Sequence, residues 1–275
     1  MTKIKRFAQN RTFLFSVAVT ALFALCLRCS GLLYNLLPQF ALNNFRFEIF
    51  DILWPVALVL LFGYGFIFRR KGFVNTLIPG MAPLCLRTVL VVNVIILSIA
   101  ERVQWQTMPV ILTGILSMIG IGIREEVVFR GIICNALVSK YGTSKKGLWF
   151  AVIVSAACFS VMHLQNLIHG IAPMALVAQL ISAFTMGLVL AAIYVRGGNI
   201  WVPILIHAIT DASGLFQSTF TVTAVSGIQE MSGLSILGSL VLLPIHISLT
   251  IFLLRKSKQS EIFARLEQLR EEIQG

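Results

Sequence analysis

Eight apolar stretches limit what this chain can fold into. They run over approximately 12–27, 49–68, 81–100, 109–138, 147–165, 173–195, 199–216 and 233–254. A helix rises about 1.5 Å per residue, so about 20 apolar residues cross the roughly 30 Å hydrocarbon layer. Most of the stretches are long enough. The first is short and is expected to continue through Gly31 to Leu37, and the fourth to tilt or leave the membrane near Lys140. The remainder of the composition agrees. Hydrophobic residues make up 57% and charged residues 12% of the 275 positions, against about 25% charged in a typical soluble domain. The expected fold is all-α: a polytopic transmembrane helix bundle of about eight helices.

The scarce charges are arranged along the chain. Lys3, Lys5, Arg6 and Arg11 precede the first stretch, Arg69, Arg70 and Lys71 follow the second, and Lys140, Lys145 and Lys146 follow the fourth. Arg196 follows the sixth, and Arg255, Lys256 and Lys258 the eighth. The alternate loops hold only Arg28, Arg46 and Arg102 nearby. The positive-inside rule then places both termini in the cytoplasm, and Arg87 is expected to snorkel toward the same side. The net charge of +11 is accounted for by loops facing anionic lipid, so nucleic acid is not an expected partner. The basic amino terminus resembles a signal peptide, but Leu27-Arg28-Cys29 gives no small-residue cleavage site, and a retained first helix is expected. Five cysteines, including Cys26 and Cys29 in a CxxC, lack the second pair of a metal site and read as small apolar fillers.

Ile262, Phe263, Leu266, Leu269 and Ile273 recur at three- and four-residue steps between Glu and Arg. This predicts a short amphipathic cytoplasmic helix with a surface or self-association role. The chain divides into amino-terminal helices (1–108), a central part (109–216), and a last transmembrane helix with its tail (217–275).

Ionisable residues inside apolar stretches are costly, usually paired and usually functional. The fourth stretch holds Arg124, Glu125, Glu126 and Arg130, the fifth ends near His163, and the seventh holds His207 and Asp211. Glu126 and Arg130 are four apart and share a helix face, whereas Glu125 is about 100° around and points elsewhere. His207 and Asp211 are also four apart. Packing three helices would gather Glu125, His163, His207 and Asp211 around one wet cavity. A carboxylate and two imidazoles suit water activation, metal binding or oxyanion stabilisation. The same residue types also build proton relays. The sequence contains no HExxH and no Gly-x-Ser-x-Gly. Periodicity and composition therefore leave a hydrolase, an ion-coupled transporter and a non-catalytic membrane protein open. His169 and His246 read as local or structural, Phe129 and Phe159 as packing residues, and Trp149 and Trp201 as interfacial anchors.

Three motifs narrow this. Glu125-Glu126-Val127-Val128-Phe129-Arg130 is followed by Gly131, and Phe159-Ser160-Val161-Met162-His163 by Leu164 and Asn166. His207-Ala208-Ile209-Thr210-Asp211 is preceded by Asn199-Ile200-Trp201-Val202-Pro203. In this order, each on its own apolar stretch, they resemble the CAAX-protease and bacteriocin-processing (CPBP, or Abi) family of intramembrane proteases. The likeness covers about 110 to 215. It implies an all-helical membrane bundle and a water-accessible active site. The catalytic residues would be Glu125, His163, His207 and Asp211, supported by Glu126, Arg130, Phe159 and Asn166. Glu125 would activate water, and Arg130 would hold Glu126. A divalent metal such as zinc is a candidate cofactor at Glu125, His163, His207 and Asp211. The implied partners are a membrane-associated peptide or protein substrate, in a cell membrane, with immunity or partner binding as the non-catalytic alternative. The prenyl-protease branch has Asn where this chain has Asp211.

Overall fold

The computed structural model describes residues 3–36, 43–222 and 234–274. Its helices are α1 (Lys3–Asn10), α2 (Thr12–Leu36), α3 (Asn43–Phe62), α4 (Phe73–Ala100), α5 (Met108–Glu126), α6 (Asn135–Tyr141) and α7 (Lys145–Met162). Then come α8 (Pro173–Gly197), α9 (Trp201–Gly214), α10 (Phe216–Phe220), α11 (Leu234–Leu253) and α12 (Lys256–Gln274). A π-helical segment, Val127–Cys134, joins α5 to α6, and 3-10 turns occupy Gly65–Arg69 and His163–His169. Among the described residues the only extended pairing is an isolated bridge between Trp105 and Thr221. Leu37 and Gly233, at the ends of two expected stretches, and the side chain of His169 lie outside the described residues.

All eight apolar stretches become helix, but they are not equivalent spans. Four segments are long and apolar enough to cross a membrane: Thr12–Leu32, Phe73–Ala100, Lys145–Ile168 and Pro173–Gly197. Gly238–Leu253 and Lys256–Ile273 form a pair bent by 69°, which raises the number to five. The apolar part of α3, Asp51–Phe62, extends roughly 18 Å at 1.5 Å per residue, too short to cross alone. α9, with 14 residues, is also too short. Among the described residues, four or five segments are therefore long and apolar enough to cross on their own, beside shorter apolar helices. Within the bundle α8 is central and α4 peripheral, with 67% and 17% of their apolar windows buried.

Local signals set the helix ends. Pro109 and Pro173 stand in the first turns of α5 and α8, where a missing N–H costs nothing. The Ser144 hydroxyl accepts from the Gly147 N–H at 3.2 Å and starts α7. Gly198 ends α8 at φ 86°, a conformation that glycine adopts without a Cβ clash.

The basic segments meet at one end of the bundle. Asn199 donates to the Arg70 carbonyl at 2.8 Å and accepts the Trp201 N–H at 3.0 Å. Arg70 pairs with Glu272 at 3.2 Å, and Arg270 donates to the Ser139 carbonyl at 3.1 Å. The tail helix α12 is thus docked rather than free. Ile262, Leu266, Leu269 and Ile273 are buried in the same apolar core that begins at Ala8. Arg87 also departs from expectation. It does not snorkel to the basic end, but is buried with Nη2 3.4 Å from His246 Nε2. If α12 is part of the core, Leu266→Ala should cost about 2–5 kcal/mol, the range for truncating a buried leucine. Chemical or thermal unfolding in detergent would read this, and an unchanged midpoint would show that the tail is peripheral.

Candidate active site

The site forms where α5 and α9 touch without side chains between them. A Cβ on Gly122 would lie 2.9 Å from the Ile204 carbonyl oxygen, so only glycine permits this approach. One turn on, Glu125 and Glu126 face His207, one turn beyond Ile204. Directly after Glu126 the helix widens into the π segment. Such turns occur often at functional sites. Side chains hold its carbonyls: Ser155 donates to Phe129 O at 2.9 Å and Asn135 to Gly131 O at 2.8 Å.

Glu126 is the hub. Its Oε1 accepts from Arg130 Nη1 at 2.8 Å and lies 2.7 Å from His207 Nδ1. A carboxylate oxygen only accepts, so the Nδ1 hydrogen points at Glu126 and Nε2 is turned the other way. That nitrogen lies 3.6 Å from Glu125 Oε2 and 3.6 Å from Asp211 Oδ2. Both oxygens are buried without a hydrogen-bond partner. The two adjacent carboxylates therefore differ in role. Glu126 is neutralised by Arg130, while Glu125 presents an oxygen to the interior. Arg130 is fully buried. Its Nη2 donates to Gly187 O at 3.2 Å, and its guanidinium sits 4.7 Å from the Phe159 ring centroid.

Phe159 ties the three motif helices together. Its ring is 5.6 Å from that of His207, 5.0 Å from His163 and 5.3 Å from Phe129. His163 has Nδ1 3.0 Å from the Phe159 carbonyl, which it donates to. His163 and His207 both pack against Phe159, while Glu125, His207 and Asp211 converge directly. Glu125 and His163 lie within about one helical turn of each other in depth. From the basic end, Glu126 lies roughly 22 Å along its helix and His163 roughly 27 Å along α7, at 1.5 Å per residue. Asn166 is further out and donates to Gln179 at 2.9 Å, fixing the 3-10 turn to α8.

Among the described residues, no three His, Cys, Asp or Glu side chains are grouped to hold a metal ion. The arrangement thus offers no ready-made ligand set for the zinc expected at Glu125, His163, His207 and Asp211. The sequence reading also missed a partner. Asp51 on α3 is buried and forms a short ion pair with Arg124, whose Nε lies 3.7 Å from Glu125 Oε1. Asp51 sits at the start of an apolar run, and nothing local marks it as facing Arg124.

These elements are the ones that known proteins share. Residues 104–213 match the Rce1-like family model, described as type II CAAX prenyl endopeptidase Rce1-like. The match runs from just before α5 to the end of α9. The chain is 28% identical over 204 residues, 73% of its length and 68% of the relative's, to the protein named "Putative membrane peptidase YdiL" of Bacillus subtilis (strain 168). No solved structure matches the chain. The three motifs that converge in the site all lie within the part of the chain that is similar to this family. It is a multi-pass membrane protein.

Arg130→Ala would leave Glu126 as a buried charge without its cation, a loss of about 3–5 kcal/mol for a broken buried pair. Replacing both partners, as Glu126→Gln with Arg130→Met, should recover part of it. Melting midpoints of the three proteins in detergent test this, and an unaltered midpoint for Arg130→Ala would remove the structural role.

Proposed function

We propose that the protein is an intramembrane endopeptidase that hydrolyses peptide bonds of membrane-associated peptides or proteins through water activated by Glu125. The observation that carries this is the unequal treatment of the two neighbouring carboxylates. Glu126 is spent on Arg130 and His207. The Glu125 Oε2 has no partner and faces His207 Nε2 at 3.6 Å, with Asp211 Oδ2 equally distant. That spacing is too long for a direct hydrogen bond and suits one bridging water.

In this reading Glu125 takes a proton from the water as it attacks the peptide carbonyl, and later delivers it to the leaving amine. His207 is held by Glu126 through Nδ1–H and, with both ring nitrogens protonated, donates from Nε2–H to the water and then to the developing oxyanion. Asp211 fixes the opposite side of the water. Arg124, restrained by Asp51, places a positive charge beside Glu125 Oε1. His163 stands one aromatic ring away and would meet the substrate rather than the water. The family match and the peptidase relative support the protease class. The ion-coupled transporter reading has no comparable observation behind it.

Glu125→Gln removes the base and keeps the shape. It should lower turnover at least about 100-fold, the lower range for loss of general-base catalysis, with an unchanged melting midpoint. Comparative peptidomics of membranes carrying the wild type or the variant would supply the cleaved substrates. A purified Glu125→Gln protein that retains full cleavage would overturn the assignment.

A further inference from the structure

A second polar cluster lies inside the bundle, and its two basic residues, Arg87 and His246, lie outside the stretch 104–213 that matches the family. Arg87 on α4 is 8% exposed. Its Nη2 lies 3.4 Å from Nε2 of His246 on α11, and His246 Nδ1 lies 3.1 Å from Thr185 Oγ1 on α8. Thr185 in turn donates to Ser182 O at 3.2 Å. Hydrogen positions follow in one direction. Thr185 spends its hydrogen on Ser182 O, so its oxygen accepts from His246 Nδ1. His246 Nε2 is then an acceptor for Arg87. This ordering makes His246 neutral, and it positions the guanidinium without neutralising it.

The ion pairs among the described residues include none to Arg87. Its Nε is buried without a hydrogen-bond partner. α4 packs along α9, with Gly80 against Val202 and Ile206 and with Val91 and Ala212 on one apolar cluster, so Arg87 lies on the stretch of α4 beside Asp211. From Phe73, Arg87 lies roughly 21 Å along α4, well inside the bundle and away from the depth of lipid headgroups. An uncompensated cation at such a depth is expensive and is kept for a function. A guanidinium is the side chain best shaped for a carboxylate, which it binds with two parallel hydrogen bonds.

We propose that Arg87, held by His246 and Thr185, is a subsite for a carboxylate group of the peptide substrate. It rests on the peptidase reading above, because a peptide is the ligand that this site would bring to such a depth. The carboxylate comes from either a free carboxyl terminus or an acidic side chain. Without Arg87, that group would meet repulsion from Glu125 and Asp211. With it, the substrate is anchored on the Asp211 side of the water, and the position of the cut is set relative to the carboxylate.

The test uses full-length Glu125→Gln protein in detergent, which binds without cutting, and three pools of fluorescent apolar-rich pentapeptides. The first pool has free carboxyl ends, the second is amidated, and the third is amidated with one internal Glu. Fluorescence polarisation should show the first or third pool binding about ten- to a hundredfold tighter than the second, the range for a hydrogen bond to a charged group. Which of the two binds identifies the source of the carboxylate. The preference should vanish in Arg87→Met and persist in Arg87→Lys. Equal binding of all three pools overturns the subsite and leaves the peptidase reading standing, as does a preference that survives Arg87→Met. No binding of any pool counts against both.

Discussion

One oxygen atom, Glu126 Oε1, organises the interior of this protein. It receives Arg130 from its own helix and His207 from α9 at 2.8 and 2.7 Å. In a medium that cannot solvate ions, a carboxylate bound to one cation and one imidazole is far less costly than an isolated one. The arrangement has a consequence for its neighbour. Once Glu126 has fixed the His207 ring, Nε2 can face only the side where Glu125 and Asp211 stand. The same bond that anchors the fold thus aims the imidazole.

That bond depends on backbones coming close. Gly122 lets α5 meet α9, and Gly187 lets α8 meet α7, where an added Cβ would lie 3.1 Å from the Ala156 Cα. Small residues at helix contacts are the usual means of close packing within membranes. The π segment then turns Arg130 toward the Gly187 carbonyl and the face of Phe159. Phe159 converts this packing into a site wall, because its ring touches both histidines. Asp51, Arg124 and Arg87 add buried charges that the three motifs do not contain, and the neutral His246 holds Arg87.

Much of the site was legible because it is local. The Glu126–Arg130 pair and the His207–Asp211 pair each follow from a four-residue helical step, and the separate role of Glu125 follows from its angle on the helix. Asp51 was not legible, since its partner is 73 positions away. Arg87 was read as snorkelling because its distance from Arg70 in sequence is short, while the contact that holds it inside comes from α11. Hydropathy marks apolar helices but not which of them are long enough to cross alone: α9 and the apolar part of α3 are each too short at about 1.5 Å per residue. The tail was read correctly as amphipathic, yet periodicity cannot say whether the apolar face meets lipid, a second copy or the chain's own core. The π segment has no compositional signature.

The central claim is that Glu125 acts on water rather than on the peptide itself. A single turnover in water enriched in oxygen-18, with enzyme in excess over peptide, tests this directly. Mass spectrometry would follow both the product's new carboxyl group and the enzyme fragment bearing Glu125. The account predicts the heavy oxygen in the product at the first turnover and none in Glu125. A first-turnover product without label, with the label found in Glu125, would mean that the carboxylate attacks the peptide and would contradict it.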